Sequence, residues 1–102
     1  MSVLSDQEVQ MHLTNLPKWS IKEEKWIERR YLFKDYLQGI TFVSKIAHLS
    51  EETNHHPFIN IQYKSIFVSL TSWNAKGLTQ LDIDLAKKFD QIYEETTIGS
   101  LS

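Results

Sequence analysis

The sequence predicts a single α+β domain in which three helices cover one face of a four-stranded antiparallel sheet, a two-layer sandwich. Three observations lead to this fold class. The 102 residues suit one domain, and a hydrophobic content of 41% suffices for a core. Two segments alternate apolar and polar residues as paired strands do, and three carry apolar residues at helical spacing. The expected order is α-β-β-α-β-β-α over residues 1–102, with about 97–102 as a loose tail.

The first predicted helix begins with a capping box. Residues 5–8 have the form Ser-x-x-Glu, in which the serine and glutamate side chains satisfy free backbone N–H groups. Val9, Leu13 and Leu16 follow at spacings of four and three, which places them on one helix face. The pattern predicts a short amphipathic helix that ends near Pro17.

The next two elements are predicted strands. Residues 19–21 and 26–33 are rich in aromatic and β-branched residues, and the polar residues 22–25 separate them. This composition is typical of a hairpin, although the alternation from Ile27 to Phe33 is interrupted by Arg29.

A second helix is indicated after Asp35, because Gln38 three residues later repeats the capping pattern. Pro57 cannot continue a helix and biases His56 towards extended backbone, so we expect the helix to end within residues 50–54. Its predicted core stripe is Tyr36, Ile40, Val43 and Ala47.

A second hairpin follows, with a turn at residues 64–65. Alternation places one apolar set on one face of the sheet: Ile59, Ile61, Tyr63, Ile66, Val68 and Leu70. The last helix is predicted to open at Thr79, with Asp82 as the acid of a capping box. Its core stripe is expected at Leu81, Leu85, Phe89 and Ile92.

Composition excludes several classes of protein. The net charge is −2 and basic residues alternate with acidic ones, which disfavours a nucleic-acid surface. The chain has no cysteine and no apolar run long enough to cross a membrane, so we expect a cytoplasmic protein without membrane association. Its three glycines form no phosphate-binding loop, and it contains neither a Gly-x-Ser-x-Gly nor a Ser-x-x-Lys motif.

The chemistry is expected at the histidine pair His55-His56, because imidazole gives and takes protons near neutrality. By itself such a pair is equally consistent with helix capping or solvated surface. Glu51 lies four residues before His55, where a persisting last turn would let the carboxylate favour the protonated imidazole. Aromatic residues follow at Phe58, Tyr63 and Trp73 and suggest a flat apolar surface for a planar ligand.

Metal binding is the weaker interpretation of the same pair. Adjacent residues diverge by about 100° on a helix and point to opposite faces on a strand, so they chelate poorly compared with histidines four apart. His12 and His48 have no ligand-like spacing to the pair. We therefore expect no metal at this site.

Seven residues at fixed distances resemble the signature of the pterin-4a-carbinolamine dehydratases. The run Glu-x-x-x-His-His-Pro is followed by tyrosine, tryptophan and aspartate at intervals of six, ten and nine residues. These residues are Glu51, His55, His56, Pro57, Tyr63, Trp73 and Asp82. The expected element order fits the fold of this family over nearly the whole chain.

The resemblance implies a lyase that removes the 4a-hydroxyl of 4a-hydroxytetrahydropterin, giving quinonoid dihydropterin in tetrahydrobiopterin recycling without metal or organic cofactor. It implies that His55 is the principal acid/base, His56 an orienting or second proton-transfer group, and Glu51 the partner of His55. The implied substrate-binding residues are Pro57, Tyr63, Thr71, Ser72, Trp73 and Asp82. For Asp82, helix capping is an equally strong interpretation.

Trp73 departs from many animal members of the family, which have a third histidine there. Indole has no proton that titrates near neutrality. The tryptophan form is an accepted variant, and it assigns the proton transfers to His55 and His56 alone.

Two other functions stay open at this point. Animal relatives also act as dimerisation cofactors of a homeodomain transcription factor, and other relatives act as assembly factors, so a non-catalytic coactivator-like binding module is the alternative. A dehydratase of another pterin-like ring, for instance in a molybdopterin context, is the third. The resemblance also implies a homodimer or homotetramer.

Overall fold

The computed structural model describes residues 2–99, which form three helices and one four-stranded sheet. The predicted fold class and element order are confirmed. In chain order the elements are α1 Asp6–Leu13, β1 Ser20–Lys22, β2 Trp26–Leu32, α2 Tyr36–Thr53, β3 Phe58–Gln62, β4 Ser65–Leu70 and α3 Gln80–Gly99.

The sheet has the strand order β1-β2-β4-β3, and every neighbouring pair is antiparallel. The register pairs Ile27 with Leu70 on the face covered by the helices, where both side chains are fully buried. The neighbouring pair, Glu28 and Ser69, lies on the opposite face, because successive side chains of a strand alternate. That face is left open.

The core lies between the covered face and the helices. Its largest fully buried side chains are Tyr31 from β2, Phe42 from α2 and Phe89 from α3. Burying an apolar side chain of this size is worth about 1.5–3 kcal/mol. The three aromatic side chains come from β2, α2 and α3, and their burial together holds these two helices against the sheet.

The predicted capping of α1 is confirmed. The Ser5 hydroxyl accepts from the Glu8 N–H at 3.1 Å, and the Glu8 carboxylate accepts from the Ser5 N–H at 2.9 Å. The helix ends at Leu13 rather than near Pro17, and the chain continues in tighter turns, in which the Asn15 N–H donates to the His12 carbonyl at 3.1 Å and the Leu16 N–H donates to the Leu13 carbonyl at 3.0 Å.

The predicted core stripe of α2 is wrong. Ile40 and Val43 are only half-buried, and Ala47 and Tyr36 are exposed. The buried residues of α2 are instead Gln38, Gly39, Phe42, Ile46 and Ser50.

The backbone of α2 comes close to the sheet at Gly39, which explains why the buried face of this helix differs from the predicted one. A Cβ at position 39 would lie 2.9 Å from Ile66 Cδ1 and 3.3 Å from Phe33 Cδ2. The absence of a side chain lets the helix backbone approach the sheet at this point. A stripe chosen from large apolar residues alone does not detect such a contact.

The predicted loose tail is wrong for residues 97–99, because α3 continues to Gly99. The Thr96 hydroxyl donates to the Ile92 carbonyl at 2.7 Å, and the Thr97 hydroxyl donates to the Tyr93 carbonyl at 2.9 Å. Residues 100–102 lie outside the described part. Of the predicted α3 core stripe, Leu85 and Phe89 are buried, while Leu81 and Ile92 are half-buried.

No helix within residues 2–99 combines the length and the apolar character that a membrane span requires.

Candidate active site

The end of α2 determines how the two histidines leave the helix. Asn54 adopts the left-handed conformation, with φ of 51°, directly after the last helical residue. Its N–H donates to the Glu51 carbonyl at 3.2 Å, and the His55 N–H donates to the Ser50 carbonyl at 3.0 Å. This pair of bonds is a Schellman motif. The chain therefore changes direction before His55 and does not continue the helix through it.

The side chain of His55 pairs with a carboxylate on another element. Its Nε2 atom lies 2.7 Å from Oδ1 of Asp82, in the first turn of α3. The Asp82 side chain is fully buried, and that of His55 is 14% exposed. The pair thus joins the end of α2 to the beginning of α3.

Two further donors hold the Asp82 carboxylate. Its Oδ2 atom accepts from the Ser72 hydroxyl at 2.7 Å and from the Thr79 N–H at 2.9 Å. The hydroxyl oxygens of Ser72 and Thr79 lie 2.9 Å apart. A buried carboxylate is costly unless hydrogen bonds satisfy its oxygens, and here both oxygens are satisfied.

This arrangement fixes the tautomer of His55. An ionised carboxylate only accepts hydrogen bonds, so Nε2 of His55 carries the hydrogen that Asp82 accepts. The other ring nitrogen, Nδ1, makes no hydrogen bond to a described residue. It accepts a proton when the ring is neutral and donates one when the ring is protonated. His55 therefore has the arrangement of a general acid or base oriented by a carboxylate.

The predicted pairing of Glu51 with His55 is wrong: Glu51 Oε2 contacts Nε2 of His56. The left-handed Asn54 explains the change, because an i, i+4 pair requires the helix to continue and here it has ended. The His56 and Glu51 side chains are 55% and 76% exposed. A pair this exposed fixes the ring less firmly than Asp82 fixes His55.

A cleft of about 550 Å³ opens beside the two histidines. Its volume is in the range typical of small-molecule sites. The lining residues come from the end of α2, the segment after β4 and the first turn of α3: Asn54, His55, His56, Ser72, Trp73, Asn74, Ala75 and Leu81.

An aromatic cluster stands at the edge of this cleft. The Trp73 ring is 62% exposed and packs edge-on against Trp26 and Phe58, with centroid separations of 5.0 and 6.0 Å. Trp26 and Phe58 are themselves 5.1 Å apart. The cleft thus combines a positioned imidazole with flat apolar surface.

The family model for Pterin 4 alpha carbinolamine dehydratase matches residues 2–92. The chain belongs to this family. A protein from a Picosynechococcus species, provisionally named pterin-4-alpha-carbinolamine dehydratase, is 45% identical over 87% of this chain and 96% of its own length. One from Sulfurisphaera tokodaii with the same provisional name is 36% identical over 90% of this chain and 98% of its own length.

Two solved structures have the same fold as this member of the dehydratase family. The crystal structure of a transcriptional coactivator/pterin dehydratase from Brucella melitensis has a TM-score of 0.86 at 29% identity, over 90% of this chain and 99% of that one. A pterin dehydratase-like RuBisCO assembly factor of the α-carboxysome has a TM-score of 0.64 at 24% identity, over 74% and 92%. The second likeness shows the fold alone.

Tyr63 does not lie at the cleft of this dehydratase-family protein. It occupies the β3–β4 turn with a φ of 56°, and its ring stacks on Tyr36 at a centroid distance of 6.5 Å. Five residues of extended strand place it about 16 Å from Phe58, which adjoins the site. Tyr63 therefore does not line this cleft, and its role in substrate binding stays a prediction.

The positions of Asp82, Thr71 and Pro57 show which contacts these predicted site residues make. Asp82 is fully buried and reaches the cleft only through His55, so its expected contact with substrate is replaced by a contact with the imidazole. The expected capping role is present as well, because Asp82 accepts from the Thr79 N–H. The Thr71 hydroxyl donates to the Lys25 carbonyl at 2.5 Å, and Pro57 is half-buried between His56 and Phe58.

Sequence reasoning missed Asn54, Leu81 and Trp26. Asn54 was detectable in principle, since asparagine tolerates the left-handed conformation that ends many helices. Leu81 precedes Asp82 and lines the cleft although the helical pattern assigned it to the core. Trp26 reaches Trp73 only because β2 pairs with β4, and no local pattern encodes that pairing.

No group of three histidine, aspartate or glutamate side chains within residues 2–99 is arranged to hold a metal ion. Each ring of the histidine pair contacts a different carboxylate, His55 that of Asp82 and His56 that of Glu51.

Proposed function

We propose that this protein dehydrates 4a-hydroxytetrahydropterin to quinonoid dihydropterin, with His55 as the principal acid and base. The observation that carries the proposal is the pairing of His55 with the buried Asp82 at the edge of an aromatic-walled cleft. Membership of the pterin-4a-carbinolamine dehydratase family supports the same reaction.

The reaction needs one proton delivered and one removed. In our proposal the protonated His55 donates from Nδ1 to the 4a-hydroxyl oxygen, while the N5 lone pair of the pterin forms a double bond to C4a. The C4a–O bond breaks and water leaves. A base then removes a proton from a ring nitrogen, which gives the neutral quinonoid product. One positioned acid or base typically contributes about 10²- to 10⁴-fold to such a reaction.

The Asp82 carboxylate supports both states of His55. It accepts the Nε2 hydrogen throughout, so the ring need not rotate between donating and accepting a proton at Nδ1. Its negative charge also stabilises the imidazolium that must form in each cycle. The Ser72 and Thr79 contacts keep the carboxylate in place while the charge on the ring changes.

His56 and Trp73 have complementary roles in the proposal. His56 removes the ring nitrogen proton or orients the substrate, and its exposed pairing with Glu51 leaves it free to move. Trp73 has no titratable proton, so it packs against the flat pterin ring. Ser72 lines the cleft beside Trp73, while Thr71 and Pro57 shape the surrounding chain.

We also propose that the protein forms a homodimer or homotetramer and is located in the cytoplasm. β3 is an edge strand with unpaired backbone groups, and it carries the exposed residues Phe58 and Ile61. Such an edge is a template on which a strand of another chain can pair. Size-exclusion chromatography with light scattering tests this directly: a mass of two or four chains is expected, and a strict monomer contradicts it.

The test of the activity is the decay of chemically generated 4a-hydroxytetrahydropterin, followed by ultraviolet absorbance. Purified protein is expected to accelerate the decay over buffer. A rate equal to that of buffer would contradict the enzyme proposal. It would favour an interaction module, a role suggested by the coactivator description of the Brucella melitensis structure.

A further inference from the structure

A second, smaller hollow adjoins the cleft and shares Ser72 and Trp73 with it. Its volume is about 210 Å³. The remaining lining residues are Lys25, Trp26, Thr71 and Lys76. The hollow therefore has two lysines and no carboxylate among its lining residues, whereas the histidine cleft has no lysine.

The backbones of both lysines are fixed to the same part of the chain. The Lys25 carbonyl accepts from the Thr71 hydroxyl at 2.5 Å, at the end of β4. Lys76 has a φ of 61°, and its N–H donates to the Trp73 carbonyl at 3.2 Å. That turn is closed by reciprocal backbone bonds between Ser72 and Gly77. The two cationic side chains thus start from defined points beside Trp73.

Glu23 and Glu24 precede Lys25 in the chain, but neither forms an ion pair with it. Neither the Lys25 nor the Lys76 ammonium group makes an ion pair with any residue in the described range 2–99. Glu23 belongs to the same β1–β2 turn as Lys25, but it lines a separate groove on the open face of the sheet. Two unpaired cations next to a ligand cleft favour a negatively charged ligand group.

We propose that this hollow binds an anionic group, a phosphate or carboxylate, carried on the side chain of the pterin substrate. The pterin ring occupies the histidine cleft, and its substituent passes Ser72 and Trp73 to reach the lysines. Lys25 and Lys76 then select anionic pterins over neutral ones. The inference rests on the proposed function, since it assumes that the cleft binds the pterin ring.

The test compares two ligands that differ by one phosphate group, 7,8-dihydroneopterin and its 3′-phosphate. Their dissociation constants are measured by quenching of tryptophan fluorescence. We expect the phosphate to bind about 5- to 30-fold more tightly at low salt, as two partly exposed charge-assisted contacts allow. The preference should shrink as salt is raised, because screening weakens such contacts.

The variants separate specific contacts from general charge. In Lys25→Gln/Lys76→Gln the ratio of the two dissociation constants should fall towards one, and Lys25→Arg/Lys76→Arg should restore it. The matched control is Lys22→Gln, which removes the same charge from the same hairpin but from the groove on the open face. It should leave the ratio unchanged.

The possible failures can be told apart. Equal affinities of the wild type for the two ligands would overturn this inference, and so would equal loss of preference in Lys22→Gln. Inorganic phosphate that competes at the concentrations at which the phosphorylated pterin binds would also overturn it, because the hollow would then bind free anions. Binding of neither pterin, with no dehydration in the absorbance assay, would count against the proposed function itself.

Discussion

At the scale of single residues, the feature that matters most is a carboxylate that solvent does not reach. Asp82 is fully buried, and its three hydrogen bonds to His55, Ser72 and Thr79 hold it in one orientation. Asp82 in turn fixes the orientation of the His55 imidazole through Nε2, and the other ring nitrogen, Nδ1, stays available to the cleft. Positioning of this kind reduces the reorganisation needed at the moment of proton transfer.

Asp82→Asn should lower kcat by about 10²- to 10⁴-fold. The asparagine oxygen can keep the contacts with Ser72 and Thr79, which leaves the amide NH₂ facing Nε2 of His55. That NH₂ group donates, so the neutral ring shifts its hydrogen to Nδ1 and no longer accepts a proton there. Steady-state kinetics of dehydration measures the effect, with circular dichroism as the control for folding. A variant that retains more than half of the wild-type kcat would contradict this role of Asp82.

Glu51→Gln should have a much smaller effect, less than about fivefold on kcat/KM. The ion pair of Glu51 with His56 is exposed, and exposed pairs contribute about 0–1 kcal/mol. The same assay compares it with Asp82→Asn, since both substitutions replace one carboxylate by an amide beside a histidine. A loss from Glu51→Gln as large as that from Asp82→Asn would contradict the assignment of His55 as the principal acid and base, because His56 would then contribute as much.

At the scale of elements, the site is formed where three secondary-structure elements begin or end: the left-handed end of α2, the segment after β4 and the first turn of α3. Each end is fixed by local hydrogen bonds of its own, such as those that close the turn at Asn54. The pairing of His55 with Asp82 then joins the end of α2 to the first turn of α3. The geometry of His55 therefore depends on the termini of its elements more than on the core.

Substitution of Asn54 tests the importance of this turn. Asn54→Ala should lower the free energy of unfolding by about 1 kcal/mol, because alanine lacks the short polar side chain that lets asparagine tolerate a left-handed φ. Asn54→Gly should be close to neutral, since glycine adopts that conformation readily. Urea denaturation of the two variants measures the difference. Equal stability of the two would show that the left-handed turn contributes nothing.

Sequence predicted the beginnings of helices better than their faces and contacts. The caps at Ser5 and Asp35 are local, and the structure shows a full capping box at Ser5 and the N-cap half of one at Asp35. The Asp35 side chain accepts from the Gln38 N–H at 2.8 Å, while the Gln38 side chain accepts from the Lys34 N–H at 3.0 Å. The buried face of α2 was missed because a glycine makes its closest contact with the sheet.

The site, like the fold, was predicted correctly where local sequence determines it and incorrectly where a contact between distant elements does. His55, His56 and Trp73 do line one cleft, but the partner of His55 is 27 residues away and not the glutamate one turn earlier. Pairing between α2 and α3 is set by tertiary packing, which local spacing does not encode. Tyr63 was misplaced because its distance along the chain from the histidines says nothing about which end of β3 faces the cleft.

At the scale of the whole molecule, one carboxylate ties the first hairpin to α3. Asp90 Oδ1 accepts from Trp19 Nε1 at 3.0 Å, from Arg29 at 2.8 Å and from the Tyr31 hydroxyl at 2.6 Å. The Arg29 guanidinium also lies 4.3 Å from the centroid of the Tyr31 ring. Burial, followed by the negative charge of Asp90, raises the pKa of Tyr31 well above its ordinary value.

The raised pKa of Tyr31 makes stability sensitive to alkaline pH. Above the ordinary tyrosine pKa of about 10, the unfolded chain releases the phenolic proton while the folded chain retains it. The free energy of unfolding should therefore fall as pH rises beyond about 10. Tyr31→Phe should flatten that decline, although it should be less stable at pH 7 because Asp90 loses a hydrogen bond. Urea titrations at pH 8 and pH 11 check both; an equally steep decline in Tyr31→Phe would contradict this assignment.

The most direct test of the proposed chemistry compares wild type and His55→Ala in the dehydration of chemically generated 4a-hydroxytetrahydropterin. Circular dichroism and the thermal midpoint serve as controls, since His55 lies at the edge of the cleft and outside the core. The predicted result is clear acceleration by the wild type and a loss of about 10²- to 10⁴-fold in the variant, with the fold intact. A folded His55→Ala protein that dehydrates the substrate at the wild-type rate would contradict the central role of His55.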